Sequence, residues 1–388
     1  MKSGERQTET HGAGLLKFAQ SIKPEALEIL RSLVERESPS NNRDAVNAIA
    51  EYTAGLFEQV GGRSRLHKQR EYGHVLQVDF SGPKKPGVLL LGHLDTVWEI
   101  GTLARMPWKV SAGKIHGPGI FDMKFGVVQM LYAIKALQQI RGGLPRPVTV
   151  LLNPDEEVGS RASRPFTEKL AKKCGSVLVF EPSAGVRGAC KTSRKGVGDY
   201  RVRVHGRPSH AGLDFETGAS AILELARQIE KISQFTDLKH GITVNPGVIS
   251  GGTRTNVVAE FAEALIDVRV TKTSQAPALD RKFHSLKPVD RRCSIEVSGG
   301  VNRGPLERNQ QTLALYRKAK DIASDLGFEL PEISVGGGSD GNFTAAIGIP
   351  TLDGLGAVGD GAHAVHEHIV EAEIPRRIAL AARLIEEL

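Results

Sequence analysis

The sequence predicts an α/β protein, a mostly parallel sheet covered by helices with a smaller α+β module inserted into it. Apolar runs typical of buried strands alternate with helical patterns in the first half of the chain. Between about residues 196 and 298 the pattern becomes β-α-β-β-α-β, a self-contained split-βαβ arrangement. The length of 388 residues also favours two domains over one.

The first elements of the sheet domain are helices. Residues 24–36 have helical periodicity, with a proline near the start. Residues 43–62 form a second helical pattern that ends in two glycines. A third helix is predicted at 127–140. Apolar runs predict buried strands, which are HVLQVDF (74–80), GVLLLG (87–92), PVTVLLN (147–153) and SVLVFEP (176–182). Alternation of this kind favours a parallel sheet.

The inserted module is predicted from alternating and helical patterns. Its predicted elements are strands at 196–206, 241–252, 255–270 and 292–299, and helices at 217–234 and 275–286. The first pattern then resumes, with a helix at 312–327, a strand at 331–337 and a helix at 374–388. These changes predict a first part of the sheet domain at 1–194, the insertion at 195–303, and a second part at 304–388.

Composition argues against several classes of protein. No stretch approaches the roughly 20 continuous apolar residues of a membrane span, and the first 20 residues, which lack a signal-like apolar region, are interpreted as a polar arm. Three scattered cysteines suit a reducing cytoplasm. The net charge of +7 is dispersed and accompanies no nucleic-acid motif, so it indicates a solvated surface that could also attract anionic substrates.

Histidine and acidic residues follow several predicted strands. Because the carboxyl ends of strands form the ligand crevice of an open α/β sheet, we expect these side chains to converge there. Asp122 precedes the helix at 127–140, and a glycine-rich loop near the C-terminus carries a histidine. The residues expected to converge are His93, Asp122, Glu157, Glu181 and His363.

This donor set suits zinc, which binds nitrogen and oxygen ligands. Five ligands can hold two ions when one carboxylate bridges them, and two-metal hydrolytic sites place their ions about 3.5–4 Å apart. Zinc makes water more acidic, and a positioned carboxylate can then accept its proton. Taken singly, each motif is also typical of an acidic turn, a strand end or an exposed loop. Their joint position at the ends of elements favours a metal centre.

Five ordered segments carry a family resemblance. GHLDTV, GPGIFDMK, DEEVGS, FEPS and GAHAVHEH resemble the signatures of the M20 metallopeptidases, across about residues 25–388. DGLGAVGDGAHA and GGGSDGNF most resemble the carboxypeptidase G2 (glutamate carboxypeptidase) branch. The resemblance implies a zinc-dependent hydrolase that cleaves an amide next to a free C-terminal carboxylate and releases an amino acid, with glutamate a candidate. The alternatives are an N-acyl amino acid deacylase, similar to acetylornithine deacetylase, and a non-catalytic binding protein on the same fold.

The resemblance also implies roles for the ligands. Asp122 would bridge two Zn²⁺ ions, for which Co²⁺ or Mn²⁺ could substitute. His93 and Glu181 would complete one site, and Glu157 and His363 the other. His363 is preferred to His366 as the ligand, because the family has a glutamate four residues after its histidine and Glu367 occupies that position.

Two further residues have implied roles in catalysis. Glu156 would be the general base and acid, and Asp95 would accept a hydrogen bond from the His93 ring and fix its tautomer. The family usually has glycine where this chain has Phe125, which could narrow the pocket or fill a packing gap. The resemblance implies a cis peptide bond between Asp122 and Met123.

The inserted module would be a ferredoxin-like dimerisation domain of a homodimer. The resemblance implies that His210 of one subunit stabilises the oxyanion in the other, and that Asn256 and Arg269 bind substrate. Arg303 and the turn Gly336–Asn342, which contains Gly338, could hold the substrate carboxylate. Without the family context, His210 is typical of a loop and Arg269 of a strand surface. The expected partner is a small peptide or N-acyl amino acid, with no nucleic acid and no membrane.

Overall fold

The computed structural model describes residues 13–388, which form two compact units. The sheet unit contains the described residues up to Ser193 together with Arg308–Ser334 and Ser339–Leu388. The inserted unit contains Arg194–Glu307 and Val335–Gly338. Residues 1–12 of the predicted polar arm lie outside the described residues. For residues 13–20 the prediction is wrong, because residues 13–21 are helical and Leu15 and Ala19 are fully buried.

The regular elements alternate along most of the chain. The strands are β1 (Arg63–His67), β2 (Val75–Phe80), β3 (Gly87–His93), β4 (Lys109–Ser111), β5 (Lys114–His116), β6 (Val148–Asn153), β7 (Cys174–Val179), β8 (Cys190–Arg194), β9 (Gly196–His205), β10 (Thr243–Gly251), β11 (Phe261–Val270), β12 (Ser294–Arg303), β13 (Glu332–Val335), β14 (Thr351–Leu352), β15 (Gly359–Asp360) and β16 (His368–Val370). After the helical residues 13–21, the α-helices of the described chain are α1 (Lys23–Val34), α2 (Arg43–Gln59), α3 (Phe125–Arg141), α4 (Arg164–Ala171), α5 (Ala221–Ser233), α6 (Gln275–His284), α7 (Gln310–Asp325), α8 (Gly341–Ala346) and α9 (Ile374–Glu387).

The sheet unit is built on a six-stranded sheet of order β1-β2-β6-β3-β7-β14. Strands β6, β3, β7 and β14 are parallel, which confirms the predicted mostly parallel sheet. Strand β2 departs from this, since it pairs antiparallel with both β1 and β6. Residues 81–86 connect β2 to β3, and a parallel crossover needs about a dozen residues or more. Outside β9–β12, the other strands of residues 13–388 form two smaller sheets, β15-β16-β5-β4 and β13-β8.

Strand β3 shows why its apolar run is continuous. Val88 and Leu90 pack into the larger core, which includes residues of α1, α3 and α9, whereas Leu89 and Leu91 pack into a second core with residues of α4. Both faces of the strand are therefore covered, as in other parallel sheets between helices. Within the described part of the chain, no helix is both long and apolar enough to cross a membrane.

The inserted unit has the order β9-α5-β10-β11-α6-β12 and one antiparallel sheet, β10-β11-β9-β12. This order confirms the predicted ferredoxin-like arrangement. The inward residues of the strands alternate with polar ones, and their core includes Tyr200 stacked on Phe283 of α6 with ring centroids 3.8 Å apart. The inserted unit therefore has its own hydrophobic core, as a separate domain does.

A buried glutamate provides a test of the inserted unit. Glu224 of α5 is fully buried and accepts hydrogen bonds from the backbone N–H groups of Val289 (2.9 Å) and Asp290 (3.0 Å) and from Gln228 (2.7 Å). Burial opposes ionisation, but these hydrogen bonds outweigh it and lower the pKa of Glu224. A depressed folded-state pKa stabilises the fold above the unfolded pKa, and this stabilisation is lost as pH falls through the folded value.

We expect Glu224→Gln to lower the free energy of unfolding at pH 7 by about 1–3 kcal/mol, because a charge-assisted acceptor is lost. The difference from the wild-type protein should shrink below about pH 4, where the unfolded glutamate is protonated. Urea unfolding at several pH values measures both effects. Glu230→Gln, at an exposed position of the same helix, is the control, and equal losses in the two variants would contradict the prediction.

Candidate metal centre

Three neighbouring strands of the sheet unit carry predicted site residues at their carboxyl ends. His93 is the last residue of β3. Glu156 and Glu157 lie in a single helical turn, Glu156–Val158, which follows β6, and Glu181 lies just after β7. Because β6, β3 and β7 are adjacent and parallel, their ends bring these side chains to one edge of the sheet.

Two more predicted ligands reach this edge from other segments. Asp122 lies in an irregular turn, Ile120–Lys124, which leads into α3. The bond between Asp122 and Met123 is cis, as the resemblance implies. His363 lies in the loop between β15 and β16, with a left-handed φ of 62°. All five predicted ligands therefore belong to the sheet unit.

The Asp122 carboxylate lies between the two imidazoles. Its Oδ1 is 3.2 Å from Nε2 of His93, and its Oδ2 is 3.5 Å from Nε2 of His363. Glu181 Oε1 is 3.6 Å from the same nitrogen of His93, and Glu157 Oε2 is 3.1 Å from Nε2 of His363. The two oxygens of Asp122 thus face different histidines, each of which has a second carboxylate beside it.

These contacts shift the pKa values of the groups in opposite directions. Burial alone would lower the pKa of His93, but the Asp122 and Asp95 carboxylates outweigh it and raise that pKa well above its usual value. The Asp122 and Glu157 carboxylates likewise raise the pKa of His363 to about 10. Burial opposes the ionisation of Asp122, yet His363 and His93 hold its pKa well below the usual range. The site therefore strongly favours positive charge between its carboxylates.

The hydrogen bonds of His93 indicate that a cation fits here. Its Nδ1 is 2.9 Å from the backbone carbonyl oxygen of Asp95, which can only accept, so Nδ1 carries a proton. The other ring nitrogen, Nε2, faces the oxygens of Asp122 and Glu181. A neutral ring presents a lone pair to these acceptors, and a metal ion or a proton must lie between them.

Among the described residues, two sets of three side chains each bring their potential ligand atoms within 4.8 Å of one another, and His93 belongs to both sets. One contains Glu156 and Glu181, and the other contains Asp122 and Glu157. Imidazole nitrogens and carboxylate oxygens are ligands that zinc accepts. The residues present thus fit a metal centre, and Glu156, predicted as the base, lies beside the potential ligands.

Asp95 has contacts that the sequence analysis missed. Its carboxylate Oδ1 is 3.5 Å from the His93 ring nitrogen, farther than its backbone oxygen. The fully buried carboxylate instead accepts the backbone N–H groups of Glu156 and Glu157, both at 3.1 Å, and the Ser40 hydroxyl at 2.7 Å. Asp95 therefore anchors the turn that carries Glu156. These partners are far apart along the chain, and no local pattern identifies them.

Three residues that the resemblance assigns to substrate binding or oxyanion stabilisation lie in the inserted unit. His210 is exposed and lies beside Asn256, whose carbonyl oxygen accepts the backbone N–H of Ala211 at 3.0 Å. Arg269 of β11 instead makes a bidentate pair with Asp267, at 2.9 and 2.7 Å. The structure thus brings His210 and Asn256 together and gives Arg269 a partner within its own strand.

The remaining predicted residues lie near the ends of the inserted unit. Arg303 is buried at the end of β12. Gly338 belongs to the same unit, and its carbonyl oxygen accepts the Arg194 guanidinium at 3.0 Å. In the sheet unit, Phe125 is 2% exposed and belongs to the hydrophobic core. Its ring is therefore a packing element.

The chain resembles known proteins both in sequence and in overall fold. The sequence model of peptidase family M20/M25/M40 matches residues 89–387. Carboxypeptidase G2 of Pseudomonas sp. (strain RS-16) is 28% identical over 388 residues, covering 96% of this chain and 92% of that protein. Acetylornithine deacetylase of Klebsiella pneumoniae (strain 342) is 26% identical over 267 residues, 63% of this chain and 68% of that protein. The crystal structure of a dinuclear metal-binding peptidase of the M20 family from Bacillus subtilis has a similar fold, with a TM-score of 0.70 and 15% identity over 95% of this chain and 100% of that one.

The anchoring role of Asp95 predicts a local effect. Asp95→Asn leaves one acceptor oxygen, so one N–H of Glu156 or Glu157 should face an amide NH₂ group and lose its partner. We expect faster hydrogen exchange at these two amides and a loss of about 1–3 kcal/mol in unfolding free energy. Mass spectrometry of the exchanged protein measures the first effect. Ser40→Ala keeps both backbone hydrogen bonds and serves as the control. Exchange at the turn that is unchanged in Asp95→Asn would refute this role.

Proposed function

Because the chain belongs to peptidase family M20/M25/M40 and is a metal-dependent hydrolase, we propose that it cleaves an amide bond next to a free C-terminal carboxylate. The released product would be an amino acid, with glutamate the first candidate. The placement of Asp122 between His93 and His363 carries the proposal, because one oxygen faces each imidazole. The similarity to carboxypeptidase G2, which extends over 96% of this chain, favours this substrate class.

We propose that the centre holds two Zn²⁺ ions. His93 and Glu181 would hold one ion and Glu157 and His363 the other, with Asp122 between them. The contacts of both imidazoles with these carboxylates support this division. Bound zinc would supply Lewis-acid activation of water and of the substrate carbonyl.

Glu156 is proposed to transfer the proton. Its carboxylate would accept a proton from the attacking water and return it to the nitrogen of the leaving amino acid. Two observations support the role. Potential ligand atoms of Glu156, His93 and Glu181 lie within 4.8 Å of one another. Asp95 also fixes the turn that contains both Glu156 and Glu157. One turn therefore positions both a proposed ligand and a proposed base.

A second candidate is an N-acyl amino acid deacylase, which the similarity to acetylornithine deacetylase favours. Both activities use the same centre and differ in the group on the acyl side of the amide. We propose that Asn256, Arg269, Arg303 and Gly338 bind the substrate. A non-catalytic binding protein would have no need of Glu156 beside the proposed ligands.

We also propose a homodimer formed through the inserted unit. Strand β10 is an edge of its sheet and exposes Val248 (56%) and Ile249 (59%), and α5 exposes Ile222 and Leu223. Apolar side chains on an exposed sheet edge usually mark an interface. His210 is exposed on the same unit, as a residue that reaches another subunit must be. The three cysteines are free, which supports a cytoplasmic location.

The base role predicts that Glu156→Gln retains zinc and loses turnover, with kcat reduced by about 10²–10⁴-fold. The assay measures free amino acid released from aroyl- and peptidyl-glutamates and from short N-acyl amino acids, using zinc-loaded protein. Glutamate release that is absent in Glu156→Gln would support the proposed activity, and a preference for short acyl groups would favour the deacylase. No release by wild-type protein with two bound zinc ions would favour the binding protein, and near-normal kcat in the variant would remove Glu156 from its role.

A complementation experiment tests the dimer and His210 together. Homodimers of Glu156→Gln and of His210→Ala should each have strongly reduced kcat with unchanged zinc content. In a mixed dimer, one site would have an intact Glu156 and receive an intact histidine from its neighbour. Mixing the two variants after dissociation should therefore restore activity. No restoration, with mixed dimers verified by native mass spectrometry, would contradict the cross-subunit role.

A further inference from the structure

A buried glutamate outside the proposed ligand set contacts the turn that carries Asp122. Glu367 is 1% exposed and directly precedes β16. Its Oε1 accepts the backbone N–H groups of Phe121 (2.9 Å) and Asp122 (3.1 Å). Its Oε2 accepts the backbone N–H of Gly119 (2.9 Å) and the indole N–H of Trp98 (2.7 Å). A carboxylate has about four lone-pair positions, and every one here has an N–H donor.

The strand pairing explains how this contact arises. His368 of β16 pairs with His116 of β5, so the residue before β16 lies beside the residues that follow β5. The chain then turns at Gly119, where φ is +70°. This turn directs the backbone N–H groups of Gly119, Phe121 and Asp122 toward one carboxylate.

The same glutamate is coupled to the loop of His363. The backbone N–H of Glu367 donates to the carbonyl oxygen of Ala364 at 2.9 Å, and the N–H of Ala364 donates to Gly361 at 2.8 Å. His363 lies within this folded loop, and its Nε2 faces Asp122 Oδ2 at 3.5 Å. Glu367 is thus linked to the loop of His363 through its backbone and to the turn of Asp122 through its side chain.

We infer that Glu367 is a positioning residue that fixes the Asp122 turn against the His363 loop. The inference rests on the proposed function, in which these two residues are ligands of one zinc centre. Glu367 contacts no substrate and holds no ion in this role. Its effect is on the distance between two ligands that come from segments far apart in the chain.

The test uses the full-length protein and Zn²⁺ alone, titrated in competition with a chromophoric chelator. Glu367→Gln keeps the shape but offers one acceptor oxygen, so N–H groups of the Asp122 turn should face an NH₂ group. Outer contacts of this kind typically change metal affinity about 10–100-fold, and we expect a loss in that range. The kcat of the zinc-loaded variant should fall, with KM near the wild-type value.

Trp98→Phe is the matched comparison. It removes one donor and leaves the three backbone donors, so its loss of Zn²⁺ affinity should be smaller.

The outcomes separate this inference from the proposed function. Wild-type protein that binds no Zn²⁺ would overturn both. Wild-type binding with the same affinity in a folded Glu367→Gln variant would overturn the inference alone, even if thermal stability fell. If Glu367→Gln does not fold, hydrogen exchange of the metal-free wild-type protein decides. Protection at the amides of Phe121 and Asp122 comparable to that in β5 supports the inference, and rapid exchange there overturns it.

Discussion

The concentration of carboxylates at one edge of the sheet is the constraint on which the rest of the site depends. Asp122, Glu157 and Glu181 lie within a few ångströms of two imidazoles and are largely shielded from water. Buried charges of one sign are costly unless a cation compensates for them. The histidines provide part of that compensation, which is why their pKa values rise while that of Asp122 falls. A metal ion would replace those protons.

The loops around the centre are held by a second group of carboxylates. Asp95 accepts backbone N–H groups from the turn of Glu156 and Glu157. Glu367 accepts them from the turn of Asp122. Each carboxylate has two oxygens and can accept several N–H groups at once. The segments that carry the reactive groups are therefore fixed by contacts that leave those groups free to face one another.

The sequence predicted the elements whose signal is local. The apolar run of β3 and the β-α-β-β-α-β order of the inserted unit follow from periodicity alone. The convergence of His93, Glu157 and Glu181 follows from their position after adjacent strands. Contacts that depend on tertiary structure were not predictable in this way. Glu367 and Gly119 are 248 positions apart, and the assignment of Val335–Gly338 to the inserted unit depends on packing that no pattern reveals.

The first and last strands of the inserted unit are paired, with Val197 opposite Arg303. Just outside them, Arg194 and Leu306 exchange two backbone hydrogen bonds, at 3.0 and 3.1 Å. The chain thus leaves and returns at points as close as two neighbouring strands. Loop-closure entropy grows only logarithmically with length, and the inserted unit brings its own two ends together. The entropic cost of the insertion for the sheet unit is therefore close to that of a short turn. In evolutionary terms, such a module can be lengthened, exchanged or reshaped by selection without altering the order of the segments that build the sheet.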